Sequence, residues 1–365
     1  MNTLKVIISG GGTGGHIYPA IAIANAIKES YPEASILFVG ALGKMEMEKV
    51  PKAGYEIIGL PIAGINRSNI LANIGFPLKV IKSLWSARKI VKDFAPDVAV
   101  GVGGYASGPL LFAASMSGVP ILIQEQNSYA GITNKFLSKY AKKICVAYPE
   151  METFFDKNKI IQTGNPVRKD IVDVSTKRNE ALRFFGLSDK KKTLLVIGGS
   201  QGAKSINEAI YNGVQNLTEE GYQIIWQTGK LFTEKAEILA TFNNSLYTSA
   251  FIYEMDLAYA AADVVVSRAG ALSVSELCLA KKPAILVPLK TAAEDHQTKN
   301  AMSLVNIGAA LLVKDDDTQE HLVKTALTLL SSSLQQKQLS DNIFSLAKPN
   351  AATEIAEHVV SLVKK

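Results

Sequence analysis

The residues best suited to chemistry come almost at once, in Ser9-Gly10-Gly11-Gly12-Thr13-Gly14-Gly15-His16. They follow an apolar run, Leu4 to Ile8, and lead into a helical pattern from Ile17 to Ser30. Strand, glycine loop and helix start together make an anion site. Glycine lets the backbone approach closely, the first N–H groups of a helix lack partners, and the helix dipole favours negative charge. A pyrophosphate is the natural guest. His16, closing the loop, has the side chain to act as a general base or to donate to a phosphate. Gly10, Gly12 and Gly15 also spell G-x-G-x-x-G, the dinucleotide fingerprint. The second strand, Ser35 to Val39, nevertheless runs into Gly40-Ala41-Leu42-Gly43, with no carboxylate for a ribose, which argues against a nicotinamide cofactor.

Two further stretches repeat the device. Gly101-Val102-Gly103-Gly104-Tyr105-Ala106-Ser107-Gly108-Pro109 leads into a helix, with Pro109 suited to its first turn. Two such loops at neighbouring strand ends suit one large anion, a diphosphate; close helix–strand packing is the other use of the same glycines. In the second half, Arg268-Ala269-Gly270-Ala271-Leu272-Ser273-Val274-Ser275-Glu276 opens another helix. Its hydroxyls and N–H groups offer a third anion site, and Glu276 can accept two ribose hydroxyls. Taken alone, Ser273 and Glu276 read as a capping box. Asp315-Asp316-Asp317 contains D-x-D, a pattern that can hold Mg²⁺ on a nucleotide diphosphate. Followed by Thr318-Gln319-Glu320 it reads instead as a helix cap remote from every glycine loop, so no metal is expected in the chemistry.

The elements that must position these residues alternate along the whole chain. Short β-rich runs are separated by helical patterns, the signature of parallel sheets covered on both faces. The series breaks at Gly164-Asn165-Pro166-Val167-Arg168 and restarts at Thr193–Ile197, followed by Gly198-Gly199-Ser200-Gln201-Gly202-Ala203. The expected fold is therefore α/β with two doubly wound domains, residues 1–164 and 165–348, facing a central cleft. A last amphipathic helix, within about 349–365, is expected to return to the first domain. At 365 residues both domains can bury a core of ordinary size. A net charge of +6 suits an anionic partner, but the basic residues are scattered and no nucleic-acid motif appears, so nucleic acid is not expected. Cys145 and Cys278 lie far apart in apolar runs, which suits inert core thiols in a reducing compartment. The uncharged stretch from Val98 to Gln124 is long enough to span a bilayer, but its glycines and prolines cut it into strand, loop, helix and strand.

One surface points elsewhere. Ile74, Leu78, Ile81 and Trp85 recur at helical spacing, flanked by Lys79, Lys82, Arg88, Lys89 and Lys92, after an apolar hook, Arg67-Ser68-Asn69-Ile70-Leu71. An exposed apolar stripe with a basic margin sits on an anionic membrane; a helix packed on the sheet with solvated lysines is the alternative.

Taken in order, the motifs resemble the MurG family of bacterial N-acetylglucosaminyltransferases. The carriers are GGGTGGHIYPA from Gly10, GVGGYASGP from Gly101, EQNSYAG from Glu125, GNPVR from Gly164, GGSQGA from Gly198, RAGALSVSE from Arg268 and HQTKNA from His296. The resemblance implies a GT-B fold of two Rossmann-like domains. It also implies inverting, metal-independent and cofactor-free transfer of N-acetylglucosamine from UDP-GlcNAc to the 4-hydroxyl of MurNAc in undecaprenyl-pyrophosphoryl-MurNAc-pentapeptide, the lipid I to lipid II step of peptidoglycan synthesis. The implied setting is peripheral, at the cytoplasmic face of the bacterial inner membrane, with other cell-wall synthesis proteins as partners.

By position in the matching motifs, Thr13, Gly14, Gly15, Asn127, Arg168, Ser200, Ile252, Ala271, Leu272, Ser273, Val274, Ser275, Glu276, Gln297 and Asn300 would line the donor site. The backbone at Ile252 would read the uracil edge, while Gln297 and Asn300 would meet sugar hydroxyls. Gly12, Gly14, Gly103, Gly104 and Tyr105 would grip the acceptor diphosphate. His16 is the first choice for the catalytic base and Glu125 the second. Gln124 and Ala269 depart from the His and Ser that some members carry. Two alternatives remain: a GT-B UDP-GlcNAc epimerase, which would need no lipid acceptor and no basic-apolar surface, and a membrane-docked sugar-nucleotide-binding subunit, which would need phosphate loops in only one domain.

Overall fold

The apolar runs of the first half pair into one sheet whose inner strands are buried on both faces, the environment of a parallel sheet under two helical layers, while its edge strands are partly exposed. In the computed structural model, which describes residues 3–62, 76–171, 174–292 and 295–363, the strands are β1 (Lys5–Ser9), β2 (Ser35–Ala41), β3 (Glu56–Leu60), β4 (Val98–Gly101), β5 (Ile121–Glu125), β6 (Lys143–Val146) and β7 (Ile160–Gln162). Among the described residues they form one seven-stranded parallel sheet in the order β3-β2-β1-β4-β5-β6-β7. The order reverses between β1 and β4, the switch point where doubly wound sheets take their ligands. Both glycine loops of the first half leave the sheet there.

The second half repeats the plan with β8 (Thr193–Ile197), β9 (Gln223–Gln227), β10 (Leu246–Ser249), β11 (Val264–Ser267), β12 (Ala284–Leu286) and β13 (Leu311–Leu312), in the order β10-β9-β8-β11-β12-β13. Its switch point lies between β8 and β11, whose following loops are Gly198–Ala203 and Arg268–Gly270.

The chain divides into two units, Met1–Val167 with Asn350–Lys365, and Arg168–Pro349. The helix Ala351–Val360 lies on the helix Gly14–Ser30, and its Ile355, Ala356 and Val359 join the core that holds Ile17, Ile23 and Ile27. The segment Val98–Gln124 is cut into β4, the helix Ser107–Met116 and β5. Among the described residues, no helix is long and apolar enough to cross a membrane. Burial pushes the Cys145 and Cys278 thiols up to about 12, so both stay protonated.

Candidate active site

In the first unit the helix Gly14–Ser30 begins directly after the loop, with Thr13 as its extended N-cap. Thr13 spends no side-chain hydrogen bond on capping; its Oγ1 lies 3.3 Å from Nδ1 of His16. His16 is half-buried, and its ring lies against Gly103, where an added Cβ would come within 2.7 Å of Cδ2. Gly103 and Gly104 both have positive φ, +90° and +88°, so the second loop makes a turn that side-chain-bearing residues resist. Ser107 Oγ lies 2.9 Å from Ser9 O and 2.7 Å from Gly103 O, so its proton bridges the two loops. Tyr105 is exposed beside Gly12.

Gly12 itself is a correction. Its N–H, expected at the acceptor diphosphate, donates to Oε2 of the buried Glu46 at 2.9 Å and points under the loop.

Glu125 ends β5 with its carboxylate buried among four donors: Asn127 N at 3.1 Å and Nδ2 at 3.3 Å, Gly131 N at 3.0 Å, and Asn134 Nδ2 at 2.9 Å. This carboxylate ties the 126–134 loop to the sheet. Next to it, Gln124, Gln126 and Asn165 form a buried amide chain, with Gln126 Nε2 donating to Gln124 Oε1 and Gln124 Nε2 to Asn165 Oδ1 at 3.1 Å.

The second unit carries an open cavity of about 610 Å³, lined by the Gly198–Ala203 loop, Ser205, Arg268, Gly270, Ser273, Gln297 and Asp315 among others. The helix Ala271–Leu279 starts at its wall with Gly270 as N-cap and no side-chain cap, so the positive end of its dipole lies at the cavity. Ser273 is the third residue inside that helix, and no capping box forms. Glu276, one turn further, accepts from Tyr259 Oη at 3.0 Å. Burial pushes its carboxyl up to about 6, with the Arg168 guanidinium and the Tyr259 hydroxyl pulling it back. Ser200 is exposed on the glycine loop. Gln297 Oε1 is fixed by Leu289 N at 2.9 Å, which leaves its amide hydrogens for the cavity that it lines.

Three expectations change here. Asn300 is wholly buried and donates to Ala269 O at 3.2 Å, so it braces the turn before the helix instead of meeting a sugar. The N–H of Ile252 is taken by Gln227 Oε1 at 3.0 Å, which leaves the carbonyl for any backbone recognition. The acidic run is not remote from the glycine loops: Asp315 lines the cavity and pairs with Arg268 Nη1 at 2.6 Å. Asp315 to Asp317 form a 3₁₀ turn, and Asp317, at the N-cap position of the next helix, makes no side-chain cap. No cluster that could hold a metal occurs among the described residues.

Sequence reasoning missed Arg268, Asp315, Ser205 and Gln227. Arg268 is nearly buried; besides Asp315 it holds Val287 O at 3.1 Å and Ser205 Oγ at 3.1 Å. Gln227 Nε2 donates to Gly199 O at 2.9 Å, so one buried amide fastens both the glycine loop and Ile252. Arg268 stood inside a quoted motif, which was the available signal.

On the helix Phe76–Phe94, Leu78, Ile81 and Trp85 are 65%, 52% and 78% exposed on one stripe, with Lys79 and Lys82 beside them, while Ala87 and Val91 are buried against the sheet. Ile74 and the hook at 67–71 lie outside the described residues.

Residues 6–146 match the glycosyltransferase family 28 N-terminal domain, and residues 193–358 match the family's C-terminal domain. The chain is 53% identical over 369 residues to the UDP-N-acetylglucosamine–N-acetylmuramyl-(pentapeptide) pyrophosphoryl-undecaprenol N-acetylglucosamine transferase of Bacteroides fragilis, covering 100% of this chain and 97% of that protein. It is 55% identical to the protein of the same description from Cytophaga hutchinsonii, over 98% of this chain and 97% of that one. The crystal structure of MurG from Acinetobacter baumannii is similar at a TM-score of 0.78 and 29% identity, covering 99% of this chain and 100% of that one.

Proposed function

This chain belongs to glycosyltransferase family 28, and on that premise we propose that it is an N-acetylglucosaminyltransferase of the MurG kind, which moves N-acetylglucosamine from UDP-N-acetylglucosamine to the 4-hydroxyl of N-acetylmuramyl-pentapeptide on undecaprenyl diphosphate. The observation that carries this reading is full-length identity above one half to relatives of that description. The two glycine-loop systems, one per unit, supply what the reaction needs, since donor and acceptor each carry a diphosphate.

In the transfer the acceptor oxygen attacks the anomeric carbon, the bond from that carbon to the UDP oxygen breaks, and the configuration inverts. His16 takes the hydroxyl proton. For Nε2 to act as the base, Nδ1 must carry the ring proton and donate it to Thr13 Oγ1, the contact that orients the ring. UDP leaves with growing negative charge. In the second unit the N-terminus of the Ala271–Leu279 helix, Ser200 and the guanidinium of Arg168 meet that charge, and Arg268, held by Asp315, forms the cavity wall beside them. Glu276 accepts the ribose hydroxyls, and the Ile252 carbonyl faces the uracil. Gly14, Gly103, Gly104 and Tyr105 hold the acceptor diphosphate. Thr13, Gly14, Gly15 and Asn127, the other donor residues implied by the resemblance, belong to the first unit. Glu125 positions the loop that carries Asn127 and does not move a proton. The apolar stripe Leu78, Ile81 and Trp85 with Lys79 and Lys82 docks on anionic lipid, which makes the enzyme peripheral at the cytoplasmic face of the inner membrane.

Radiolabelled transfer from UDP-N-acetylglucosamine to a short-chain acceptor analogue, with EDTA present, tests the reading. Product from the wild-type chain is expected. Tight donor binding without product would overturn it in favour of an epimerase or a binding subunit.

A further inference from the structure

Glu46 lies outside every motif that suggested the activity. It opens a short helix, Glu46–Lys52, after β2, where a charged side chain would ordinarily face water. Instead it is wholly buried. Its two oxygens accept from two different segments: Oε2 from Gly12 N at 2.9 Å and Oε1 from Ala41 N at 2.9 Å. Burial of a carboxylate is tolerated when its acceptors are filled, and bonds to an ionic acceptor are stronger than neutral ones.

The loops above this carboxylate are stacked on it. A methyl group at Gly11 would strike the Glu46 carboxylate, and one at Gly104 would strike the Gly11 carbonyl. Gly103, beside Gly104, lies against the His16 ring. Carboxylate, first loop and second loop therefore rest on one another with no side chain between them, and the histidine hangs from the same stack.

We propose that Glu46 is a positioning residue for the transfer reaction. It holds the Gly10–Thr13 turn at a fixed height above β2, and through Gly11 it sets the separation of the two glycine loops and the position of His16. The inference rests on the reading that these loops hold the acceptor and that His16 is the base. The physical link is direct: Gly12 is bonded to the carboxylate, Thr13 follows it, and Thr13 orients the His16 ring.

The variant E46Q keeps the size of the side chain but replaces one acceptor with an NH₂ group facing an N–H donor, so one of the two segments is released. Hydrogen exchange by mass spectrometry on peptides covering residues 9–16 is expected to speed up about tenfold or more, with peptides of the second unit unchanged. In the transfer assay, kcat/KM for the acceptor analogue is expected to fall roughly 30-fold, with the calorimetric affinity for UDP, whose diphosphate the second unit takes, within about twofold. Combined with H16A, the loss is expected to be much less than multiplicative, because both changes act on the same proton transfer. Unchanged exchange at residues 9–16, or a loss shared equally by UDP and the acceptor and multiplicative with H16A, overturns the proposal. If E46Q does not fold, E46D, which keeps both acceptor oxygens on a shorter stem, is expected to exchange at a rate above wild type, and a wild-type rate overturns the proposal. A wild-type chain that makes no product would refute the transferase reading, while the exchange result would still decide whether Glu46 holds the loop.

Discussion

Tyr259 donates its hydroxyl proton to Oε2 of Glu276 across 3.0 Å from a position without solvent contact. The buried phenol is thus a fixed donor to the carboxylate that the transferase reading assigns to the ribose.

This pair gives a pH dependence with two opposite signs. Burial holds Glu276 at about 6, above its ordinary value, so folding favours the protonated form. The contribution to stability is complete below the ordinary glutamate range and is lost as pH rises through about 6. Donor binding needs the ionised form. The KM for UDP-N-acetylglucosamine is therefore expected to be flat above about pH 7 and to climb, approaching tenfold per pH unit, below about 6. Removing the hydroxyl in Tyr259→Phe moves the midpoint upward, and Glu276→Gln abolishes it. Steady-state kinetics across this range check the prediction, and a wild-type KM that does not vary with pH contradicts it.

Arg268 and Asp315 form a nearly buried pair, 11% and 18% exposed at the side chain. Asp315→Ala strands the guanidinium and is expected to cost about 3 kcal/mol in chemical denaturation. Arg268→Met keeps volume but leaves the Asp315 carboxylate with Ser205 in place of the guanidinium, so a comparable stability loss is expected while donor affinity falls about tenfold or more. Calorimetric titration with UDP separates the two. An Arg268→Met protein that binds UDP as tightly as wild type would argue against a role for the guanidinium at the diphosphate.

Glu125 and His16 are separable by what each mutation damages. His16→Ala is expected to lower kcat by about 10² to 10⁴ with donor affinity kept. Glu125→Ala leaves four donors without their acceptor and is expected to lower stability by about 2 to 4 kcal/mol. A Glu125→Ala protein with wild-type melting and a flattened pH–rate profile would make Glu125 the base.

The exposed stripe gives a test independent of catalysis. Replacing Ile81 and Trp85 by Ser is expected to weaken binding to anionic vesicles about tenfold to a hundredfold and to leave UDP-N-acetylglucosamine binding intact. Sedimentation with vesicles measures this, and undiminished partitioning refutes lipid contact.

The alternation of apolar runs and helical patterns was enough to read both sheets, because parallel strands buried on two faces leave continuous Val, Ile and Leu runs such as Val264–Val266. The glycine loops were legible for a related reason, since a turn after such a run can only meet the strand ends. What sequence could not show were pairings across distance: Glu46 with Gly12, 34 residues apart, and Arg268 with Asp315, 47 apart. Asn300 was readable in hindsight. Once the helix starts at His296, Asn300 falls on the same inner stripe as Ala301 and Leu304. The capping-box reading of Ser273 and Glu276 failed because β11 ends at Ser267 and only three residues precede the helix, which fixes its start at Ala271.

The return of the helix Ala351–Val360 to the first unit has a consequence for biosynthesis. The unit made first is the one finished last. While the ribosome is still adding Arg168 to Pro349, the face of the nascent unit that carries Ile17, Ile23 and Ile27 waits for Ile355, Ala356 and Val359. The contiguous second unit can complete its core beforehand. Closure of the first core then spans more than 300 residues of chain, a long-range contact of the kind that slows folding and leaves apolar surface open to chaperones in the interval.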